Sequence, residues 1–501
     1  MLKGAKGIAT LPFGQRGITI ADNKMASTIK NLGWKFMERV SAQLVQLVVS
    51  IVLARILAPS DYGAVAMVTI FIMLANVIVE GGFNGALIQK KDSDDLDFST
   101  VLYFSIGFAF VLYLILYVSA PFISSFYGDG YEILTPVLRV LGIQVIIFAI
   151  NSVQQAYVQK QMMFKNFFYA TLVGTIISAI IGLSMAYVGF GVWSLVGQQL
   201  TATTVNTLTL YAVTRKLPIL AFSFERLKGL FSYGVKLLGT SLLITGYQEL
   251  RALVIGKLYS AQDLAFFDRG KQFPNLIVNN INSSIGAVLF PKMALEQDDI
   301  EKVKQSTRVS IRFSAFIMCP LMLGLAAAAE PFVRLVLTEK WLECVPLLQW
   351  FCLVYLFQPI HTANMQAIKA VGRSDTLLKL EIIKKVIELI TLLLVMWISV
   401  DAIVINMAVL TSLFTLVNAF PNKKLLNYSF REQASDILPS VAISIIMFMV
   451  ILILNQSLQF SDLLMLVINM IIGTTIYVAL SYMTHSRELF YVINLAKRHG
   501  K

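Results

Sequence analysis

The chain has 501 residues, of which 57% are hydrophobic and 14% are charged, and its mean hydropathy is +0.73. A soluble globular chain averages about 25% charged residues, so this composition excludes an ordinary soluble protein. Apolar blocks of about 20 residues match the ~30 Å hydrocarbon core of a bilayer, which predicts an all-α polytopic membrane protein. The net charge of +12 would suit a nucleic-acid partner, but Lys and Arg held on the cytoplasmic side of a membrane explain it without one.

The N-terminal segment, residues 1–37, is basic and contains no apolar core followed by a cleavage site. We therefore expect no cleaved signal peptide, and we expect the first apolar helix to act as an uncleaved anchor. Residues 1–24 read as an appendage, because Met25 opens a stretch that is typical of a protein start.

Fourteen membrane spans follow in the prediction, and basic residues concentrate in alternate loops. The loops on one side contain nearly all of the Lys and Arg between the spans, whereas those on the other side contain only Lys340. Because basic residues favour the cytoplasmic side, this asymmetry predicts that both termini are cytoplasmic. The predicted spans are approximately 34–57, 63–89, 99–125, 132–158, 167–188, 191–213, 229–257, 262–290, 308–337, 344–370, 377–399, 401–420, 434–455 and 461–483.

The first six spans resemble the next six. The Pro-Phe pairs at 121–122 and 331–332 are separated by the same number of residues as Pro136 and Pro346, and they occupy matching topological positions. Upstream, Arg55 and Asp61 likewise align with Lys257 and Asp263 at one shared spacing. Two six-helix lobes related by a pseudo-two-fold axis along the membrane normal are typical of alternating-access transporters. The predicted organisation is a cytoplasmic tail over 1–30, an N-terminal lobe over 31–215, a linker over 216–228, a C-terminal lobe over 229–420, a cytoplasmic loop over 421–433, an additional helix pair over 434–483 and a cytoplasmic tail over 484–501.

Polar residues follow one helical face of the eighth span. Asp268, Lys271, Asn275, Asn279 and Asn282 have the spacing of a single face, with Arg269 at its margin. The opposite face of this span is apolar and includes Phe266 and Phe273. A polar stripe of this length is predicted to face water rather than lipid, because ionisable residues within a membrane favour a functional role. Polar faces also occur in five other spans, with Arg39 in span 1, Glu80 in span 2, Gln155 in span 4, Glu249 and Arg251 in span 7, and His361 in span 10.

We expect these faces to line one hydrated, modestly cationic cavity, which predicts an anionic substrate because guanidinium groups match phosphate oxygens. Two structural interpretations compete, namely hydrogen bonds between helices for single Asn or Gln side chains and snorkelling to the headgroups for residues such as Arg39. The candidate substrate-binding residues are Arg269, Lys271, Arg39, Arg251, Asn275, Asn279 and Gln155, and the candidate ion-coupling residues are Glu80, Glu249 and Asp268.

The sequence lacks the residue patterns that nucleotide hydrolysis, nucleophilic catalysis and metal binding need. The sequence has no Walker motif and no recognisable nucleophile–base pair, so we expect neither an enzyme nor a cofactor. His361 has no second ligand at a suitable spacing, and the three cysteines show no metal-binding pattern. We therefore expect no metal site, and we expect free cysteines that serve packing.

A resemblance to a known family rests on six segments that occur in register. They are LARILAPSDYGAVAM (53–67), GGFNGALIQKKD (81–92), QQAYVQKQMMFK (154–165), GFGVWSLVGQQL (189–200), FFDRGKQFPNLI (266–277) and LFPKMA (289–294). Over about residues 30–430 the chain resembles bacterial oligosaccharide flippases of the polysaccharide transporter family, in the multidrug/oligosaccharidyl-lipid/polysaccharide exporter superfamily.

This resemblance implies two six-helix lobes plus two helices. It also implies that the protein moves an undecaprenyl-diphosphate-linked oligosaccharide from the inner to the outer leaflet of a bacterial inner membrane. Arg269 is the residue for which the resemblance implies a contact with the diphosphate or with an acidic sugar. Other proteins of polysaccharide assembly are candidate partners.

Two other functions stay open from the sequence. A multidrug antiporter of the same superfamily should have a cavity dominated by carboxylates, whereas the predicted cavity is cationic. A membrane glycosyl ligase or polymerase generally needs a sizeable outer loop that carries catalytic residues, whereas the predicted outer loops are short.

Overall fold

The computed structural model describes residue 37 and residues 41–215, 218–458 and 460–499, and the elements in these ranges are helices. Their bounds are α1 Ser41–Ile56, α2 Pro59–Glu80, α3 Phe83–Gln89, α4 Asp95–Tyr127, α5 Leu134–Leu141, α6 Ile143–Lys160, α7 Phe164–Val188, α8 Val192–Thr214, α9 Phe224–Leu258, α10 Ala261–Leu295, α11 Ile300–Ala327, α12 Ala329–Val336, a 3₁₀ turn Glu339–Trp341, α13 Cys344–Leu356, α14 Gln358–Ala370, α15 Ser374–Val395, α16 Val400–Leu425, α17 Phe430–Ser457, α18 Asp462–Met483 and α19 Arg487–His499.

The all-helical membrane fold predicted from composition is confirmed, and the chain is a multi-pass membrane protein. Within the described ranges, nine helical segments are long and apolar enough to cross a membrane, and each coincides with a predicted span. The remaining predicted spans correspond to the short α1 and to α8, α9, α10 and α15, whose polar or charged residues lower their hydropathy. The total of fourteen spans therefore stays a prediction.

Helix starts reproduce part of the predicted repeat. The Asp61 carboxylate accepts a hydrogen bond from the backbone amide of Ala58 at 3.1 Å, three residues earlier, where α2 begins. The Asp263 carboxylate accepts from the backbone amide of Ser260 at the same distance, where α10 begins. An acidic residue in the first turn that reaches back to the preceding amide stabilises the start of a helix. Matching caps at matching positions agree with an internal duplication.

Contacts between residues divide the chain into two compact units. Unit 1 contains residues 1–57 and 64–253, and unit 2 contains residues 58–63 and 254–501. The division crosses α2 after its first turn and falls within α9. The lobes predicted on either side of a linker over 216–228 stay a prediction. In unit 1, a core cluster includes Phe83, Leu87 and Leu102. In unit 2, a core cluster joins Met447 and Tyr477 of the additional helix pair to α11.

The three cysteines are free and buried, as predicted. Cys319 lies in α11, Cys344 begins α13 and Cys352 lies within it. Each side chain packs as a small apolar group, which is the usual role of a buried free cysteine.

The predicted C-terminal tail contains a helix that the sequence analysis did not identify. Glu488 at the start of α19 is 8% exposed, and its carboxylate pairs with Arg312 of α11 at 2.6 Å. Arg312 also lies 4.0 Å from Asp436 of α17, which Arg308 contacts at 2.7 Å. The first of these ion pairs holds α19 against α11, and the others join α11 to α17 within unit 2.

Candidate substrate-binding site

Arg269 of α10 lies among aromatic rings in unit 2. Its guanidinium carbon is 4.2 Å from the ring centre of Tyr62 and 5.3 Å from that of Trp341. The ring of Trp341 also meets those of Tyr62 and Phe266 edge-on, with centroids 5.4 and 5.9 Å apart. A guanidinium held against aromatic faces gains cation–π attraction, which is strongest where water is excluded. We call Arg269, Tyr62, Phe266 and Trp341 the arginine–aromatic cluster.

The guanidinium also has a polar contact on its own helix. Arg269 Nη1 donates to Gln272 Oε1 at 2.5 Å, and Arg269 is only 6% exposed. Asp268, one position earlier, is exposed, and Lys271 is half-buried. Arg269 therefore lies inside unit 2, whereas the neighbouring Asp268 lies at its surface.

Two glycines allow the backbone to pack closely at this cluster. A Cβ on Gly63 would lie 1.7 Å from the carbonyl oxygen of Ala261, and no side-chain atom can lie so close to a backbone oxygen. A Cβ on Gly270 would lie 2.9 Å from the backbone nitrogen of Leu348. Tyr62 and Arg269 are each followed by a glycine. The first residue of each pair contributes its side chain to the cluster, and the glycine allows the close backbone contact that places it there.

We expect Gly63→Ala to destabilise the protein, because the added methyl group overlaps a backbone oxygen that has to move. Overpacking of this kind costs about 1–3 kcal/mol. Thermal unfolding of the purified protein in detergent measures the change. Gly107→Ala in α4 is the matched control, since a Cβ there meets nothing within 4 Å. Equal shifts of the unfolding temperature in the two variants would contradict the close contact.

The polar stripe of α10 continues below Arg269. Asn275 is half-buried and Asn279 is exposed, and Asn279 Nδ2 donates to Asn275 Oδ1 at 3.1 Å. Further along the helix, Asn282 Oδ1 accepts from the Thr362 hydroxyl of α14 at 3.1 Å. On the predicted apolar face, Phe266 and Phe273 are buried at 2% and 8% exposure. Burial along α10 thus follows the two faces that its sequence predicts.

The candidate residues of unit 1 have separate local partners. Gln155 donates to Asn151 Oδ1 at 2.5 Å, and Asn151 donates to Asn206 of α8 at 2.8 Å, so this amide network joins two helices. Arg251 Nη2 donates to the Tyr247 hydroxyl at 3.1 Å. The amide network of Gln155, Asn151 and Asn206 fits the interhelical role that Asn and Gln side chains often have.

The candidate ion-coupling residues differ in their surroundings. In unit 1, Glu80 is half-buried and accepts a hydrogen bond from Asn84 Nδ2 at 3.3 Å, and Glu249 is also half-buried. In unit 2, Asp268 is exposed. Arg39 lies outside the described residues. None of these roles has been tested, so all of them stay predictions.

Unit 2 contains a polar cavity that the sequence analysis missed. A cavity of about 370 Å³ lies between α14, α15 and α16, and we call it the α14–α16 cavity. Charged residues of α15 line it at positions 381, 384, 385 and 388. Spacings of 3, 4 and 7 place residues on one face of a helix, so this stripe was detectable within predicted span 11.

His361 also lines this cavity and has partners on both ring nitrogens. Asn418 Nδ2 lies 2.7 Å from Nδ1, and the Thr415 hydroxyl lies 2.9 Å from Nε2. Because an imidazole nitrogen donates or accepts according to the tautomer, these two side chains can satisfy both ring nitrogens. Within the described ranges, no three His, Cys, Asp or Glu side chains gather into a metal site.

Proteins named for polysaccharide biosynthesis are similar in sequence to this chain. The chain is 25% identical over 350 residues to the teichuronic acid biosynthesis protein TuaB of Bacillus subtilis (strain 168), covering 68% of this chain and 71% of that protein. It is 24% identical over 319 residues to the succinoglycan biosynthesis transport protein ExoT of Rhizobium meliloti (strain 1021), covering 64% of each.

The fold is similar to that of a solved transporter. The structure of the lipid II flippase MurJ in an inward closed conformation matches 92% of this chain and 100% of that chain, with a TM-score of 0.73 at 15% sequence identity. The family model described as polysaccharide biosynthesis protein matches residues 52–346, which is more than half of the chain. The resemblance inferred from the motifs is therefore confirmed, and the chain belongs to the polysaccharide biosynthesis protein family.

Proposed function

We propose that this protein is a flippase that moves a polyprenyl-diphosphate-linked oligosaccharide across the bacterial inner membrane for surface polysaccharide export. Family membership carries the proposal, because the relatives that match most of the chain are named for polysaccharide biosynthesis and one of them for transport. The fold similarity to a lipid II flippase over nearly the whole chain supports the same mechanism class. On this proposal the protein carries cargo and performs no sugar chemistry.

The transport path in unit 2 is proposed to follow α10. The amides of Asn275 and Asn279 offer donors and acceptors to sugar hydroxyl groups, while Arg269 offers a planar guanidinium to the diphosphate or to an acidic sugar. Arg269 is 6% exposed in this conformation. Contact with cargo thus requires that Tyr62 and Trp341 move apart from it during the cycle, which couples cargo binding to a conformational change.

The orientation of the chain is also a proposal. The near absence of basic residues from one set of loops supports cytoplasmic termini and an outer face that contains Lys340. The first turn of α2 and the start of α10 would then lie at the outer side. Undecaprenyl diphosphate is the lipid carrier that the family resemblance implies, and other proteins of polysaccharide assembly are proposed partners.

Flipping in proteoliposomes tests the proposed function. A fluorescent polyprenyl-diphosphate oligosaccharide is placed in both leaflets, and a membrane-impermeant quencher then reports the fraction that reaches the outer leaflet. We expect faster exchange with the protein than in empty liposomes. Exchange at the rate of the empty liposomes would contradict the proposal.

Two alternatives predict different results. A multidrug antiporter of the same superfamily would protect a drug-hypersensitive strain, whereas we expect no protection from this chain. A glycosyl ligase or polymerase would transfer sugar when the purified chain is mixed with lipid-linked oligosaccharide. We expect the oligosaccharide to keep its length in that mixture.

Transport is proposed to be driven by an ion gradient, with Glu80 as the coupling carboxylate. We expect Glu80→Gln to abolish the acceleration that an imposed proton or sodium gradient gives to flipping, because a neutral amide cannot exchange an ion. Exchange without a gradient should continue, since the Asn84 contact survives the substitution. Wild-type flipping rates measured with and without an imposed gradient provide the comparison. If a collapsed gradient leaves the wild-type rate unchanged, ion coupling is excluded.

A further inference from the structure

The α14–α16 cavity has a charged wall on a helix that also has an exposed apolar face. On α15, Lys384 and Lys385 line the cavity, whereas Leu378, Ile382 and Val386 are 62%, 55% and 50% exposed. Lys384 is 8% exposed and therefore lies within the protein. A charge within a membrane protein is stable only where it meets water, another charge or a polar ligand.

The charges in the cavity leave one cation in excess. Lys384 Nζ contacts the Glu381 carboxylate at 2.6 Å, and Lys385 Nζ contacts that of Glu388 at 3.1 Å. Lys369, at the end of α14, also lines the cavity and makes no ion pair with any residue that the structure describes. Three ammonium groups thus face two carboxylates, which favours an anion as the occupant.

Neutral groups add hydrogen-bond capacity without adding charge. The amides of Gln358 and Gln366 and the hydroxyl of Thr362 line the cavity beside Lys369. The two ring nitrogens of His361 are already engaged by Thr415 and Asn418, so this side chain is satisfied within the protein. An anion with several oxygens can therefore accept from Lys369 and from amide donors together, and such charge-assisted contacts are the stronger class of hydrogen bond.

The cavity adjoins the polar stripe of α10. Thr362 lines the cavity and donates to Asn282 of the stripe at 3.1 Å. Gln366 also lines the cavity, and its amide nitrogen lies 3.5 Å from where a Cβ on Gly286 of α10 would be. Both polar surfaces therefore share α14, and a ligand of the cavity lies beside the proposed path.

The size of the cavity limits its occupant. Its volume of about 370 Å³ is at the lower end of the ~300–1,000 Å³ found for ligand pockets. A phosphate or diphosphate group with its first linked unit fits this space, but an extended oligosaccharide does not. Basic pockets between transmembrane helices are a known mode of binding for anionic lipid headgroups.

We propose that the α14–α16 cavity binds the phosphate or diphosphate group of a lipid, with Lys369 as the principal cation and Gln366 as a donor. This chemistry has two sources, namely an anionic phospholipid of the bilayer and the diphosphate of the cargo. The second source rests on the proposed function, whereas the first does not. In either case the apolar tail stays outside the cavity.

Equilibrium binding of labelled farnesyl diphosphate to the full chain in phosphatidylcholine nanodiscs tests the site. We expect Lys369→Gln to weaken binding about tenfold, which is typical for the loss of one charge-assisted contact, and Lys369→Arg to retain most of it. Lys379→Gln is the matched control, because Lys379 is an exposed lysine of α15 that does not line the cavity. Equal affinities for the Lys369→Gln and Lys379→Gln variants would overturn the proposal.

A competition arm distinguishes the two sources. The same titration in nanodiscs that contain phosphatidylglycerol shows weaker binding of farnesyl diphosphate to the wild type if anionic phospholipid occupies the cavity. An unchanged affinity assigns the cavity to diphosphate. Failure of this site can be distinguished from failure of the proposed function. If the Lys369→Gln variant binds farnesyl diphosphate normally and also flips oligosaccharide normally, the protein has the proposed function but lacks the proposed site.

Discussion

Arg269→Ala is expected to abolish surface polysaccharide export while the protein remains in the membrane. The guanidinium is the only charge in the arginine–aromatic cluster, where Tyr62 and Trp341 lie 4.2 and 5.3 Å from its central carbon. Alanine removes both the contact proposed for the diphosphate and the group that orders the two rings. Export is measured as surface polysaccharide in a strain from which the wild-type gene has been deleted, with membrane protein levels determined in parallel.

Conservative replacement separates charge from geometry. Arg269→Lys keeps the charge but loses the planar fork that binds phosphate oxygens through two nitrogens, so we expect partial export. Arg269→Gln keeps neither the charge nor the fork, and we expect export as low as with alanine. Wild-type export from Arg269→Ala would show that Arg269 only packs against the rings.

An arginine elsewhere in the chain provides the matched control. Arg139 of α5 stacks on Tyr117 with its guanidinium carbon 4.4 Å from the ring centre, and it also donates to a backbone carbonyl. It lies outside every polar stripe that the sequence analysis assigned to the path. Arg139→Ala should therefore leave export near the wild-type level. A loss of export equal to that of Arg269→Ala would indicate that stacked arginines act through stability alone.

The helices were predictable because a bilayer imposes a simple rule on composition. A backbone in hydrocarbon must satisfy its own hydrogen bonds, so each long apolar block forms a helix. The blocks that became α4, α7 and α17 match their predicted spans within several residues. Helix α19 was missed because its 13 residues are too few and too polar for a membrane span, and its pairing with Arg312 of α11 is a tertiary contact.

The site was predictable only in part. Helical spacing identified the stripe through Asn275, Asn279 and Asn282, because a single helix determines which residues share a face. It could not place Arg269 in an aromatic cluster, since Tyr62 and Trp341 come from distant segments that meet only through tertiary packing. The charged stripe of α15 was visible in the sequence but was not recognised among its many apolar neighbours.

Asp97→Ala is expected to cause the largest loss of stability among single substitutions at the ends of the helices in unit 1. The Asp97 side chain is fully buried, and its carboxylate contacts Lys90 Nζ at 2.6 Å and Arg226 Nη1 at 3.4 Å. It therefore joins the segment after α3, the start of α4 and the start of α9. Breaking a buried pair costs about 3–5 kcal/mol, and since both cations are about one-third exposed, we expect the lower end of that range.

Asp94 offers a matched control for this prediction, since it belongs to the same capping box but has a half-exposed side chain. The backbone amide of Asp97 donates to the Asp94 carboxylate at 3.0 Å and holds the pKa of that carboxyl below its ordinary value, with Arg226 and Lys90 adding to the effect. Asn caps a helix about as well as Asp, so Asp94→Asn should cost less than about 1 kcal/mol.

Thermal unfolding in detergent at neutral pH compares Asp97→Ala, Asp94→Asn and the wild type. The stabilisation that comes from the lowered pKa of Asp94 is present at neutral pH and is lost as the pH falls through its folded-state pKa. Asp94→Asn should therefore unfold with a weaker dependence on acidic pH than the wild type, whereas Asp97→Ala should be less stable already at neutral pH. If Asp97→Ala unfolds at the wild-type temperature, the buried carboxylate does not hold α4 and α9 together, and the apolar cluster around Phe83 and Leu102 must do so alone.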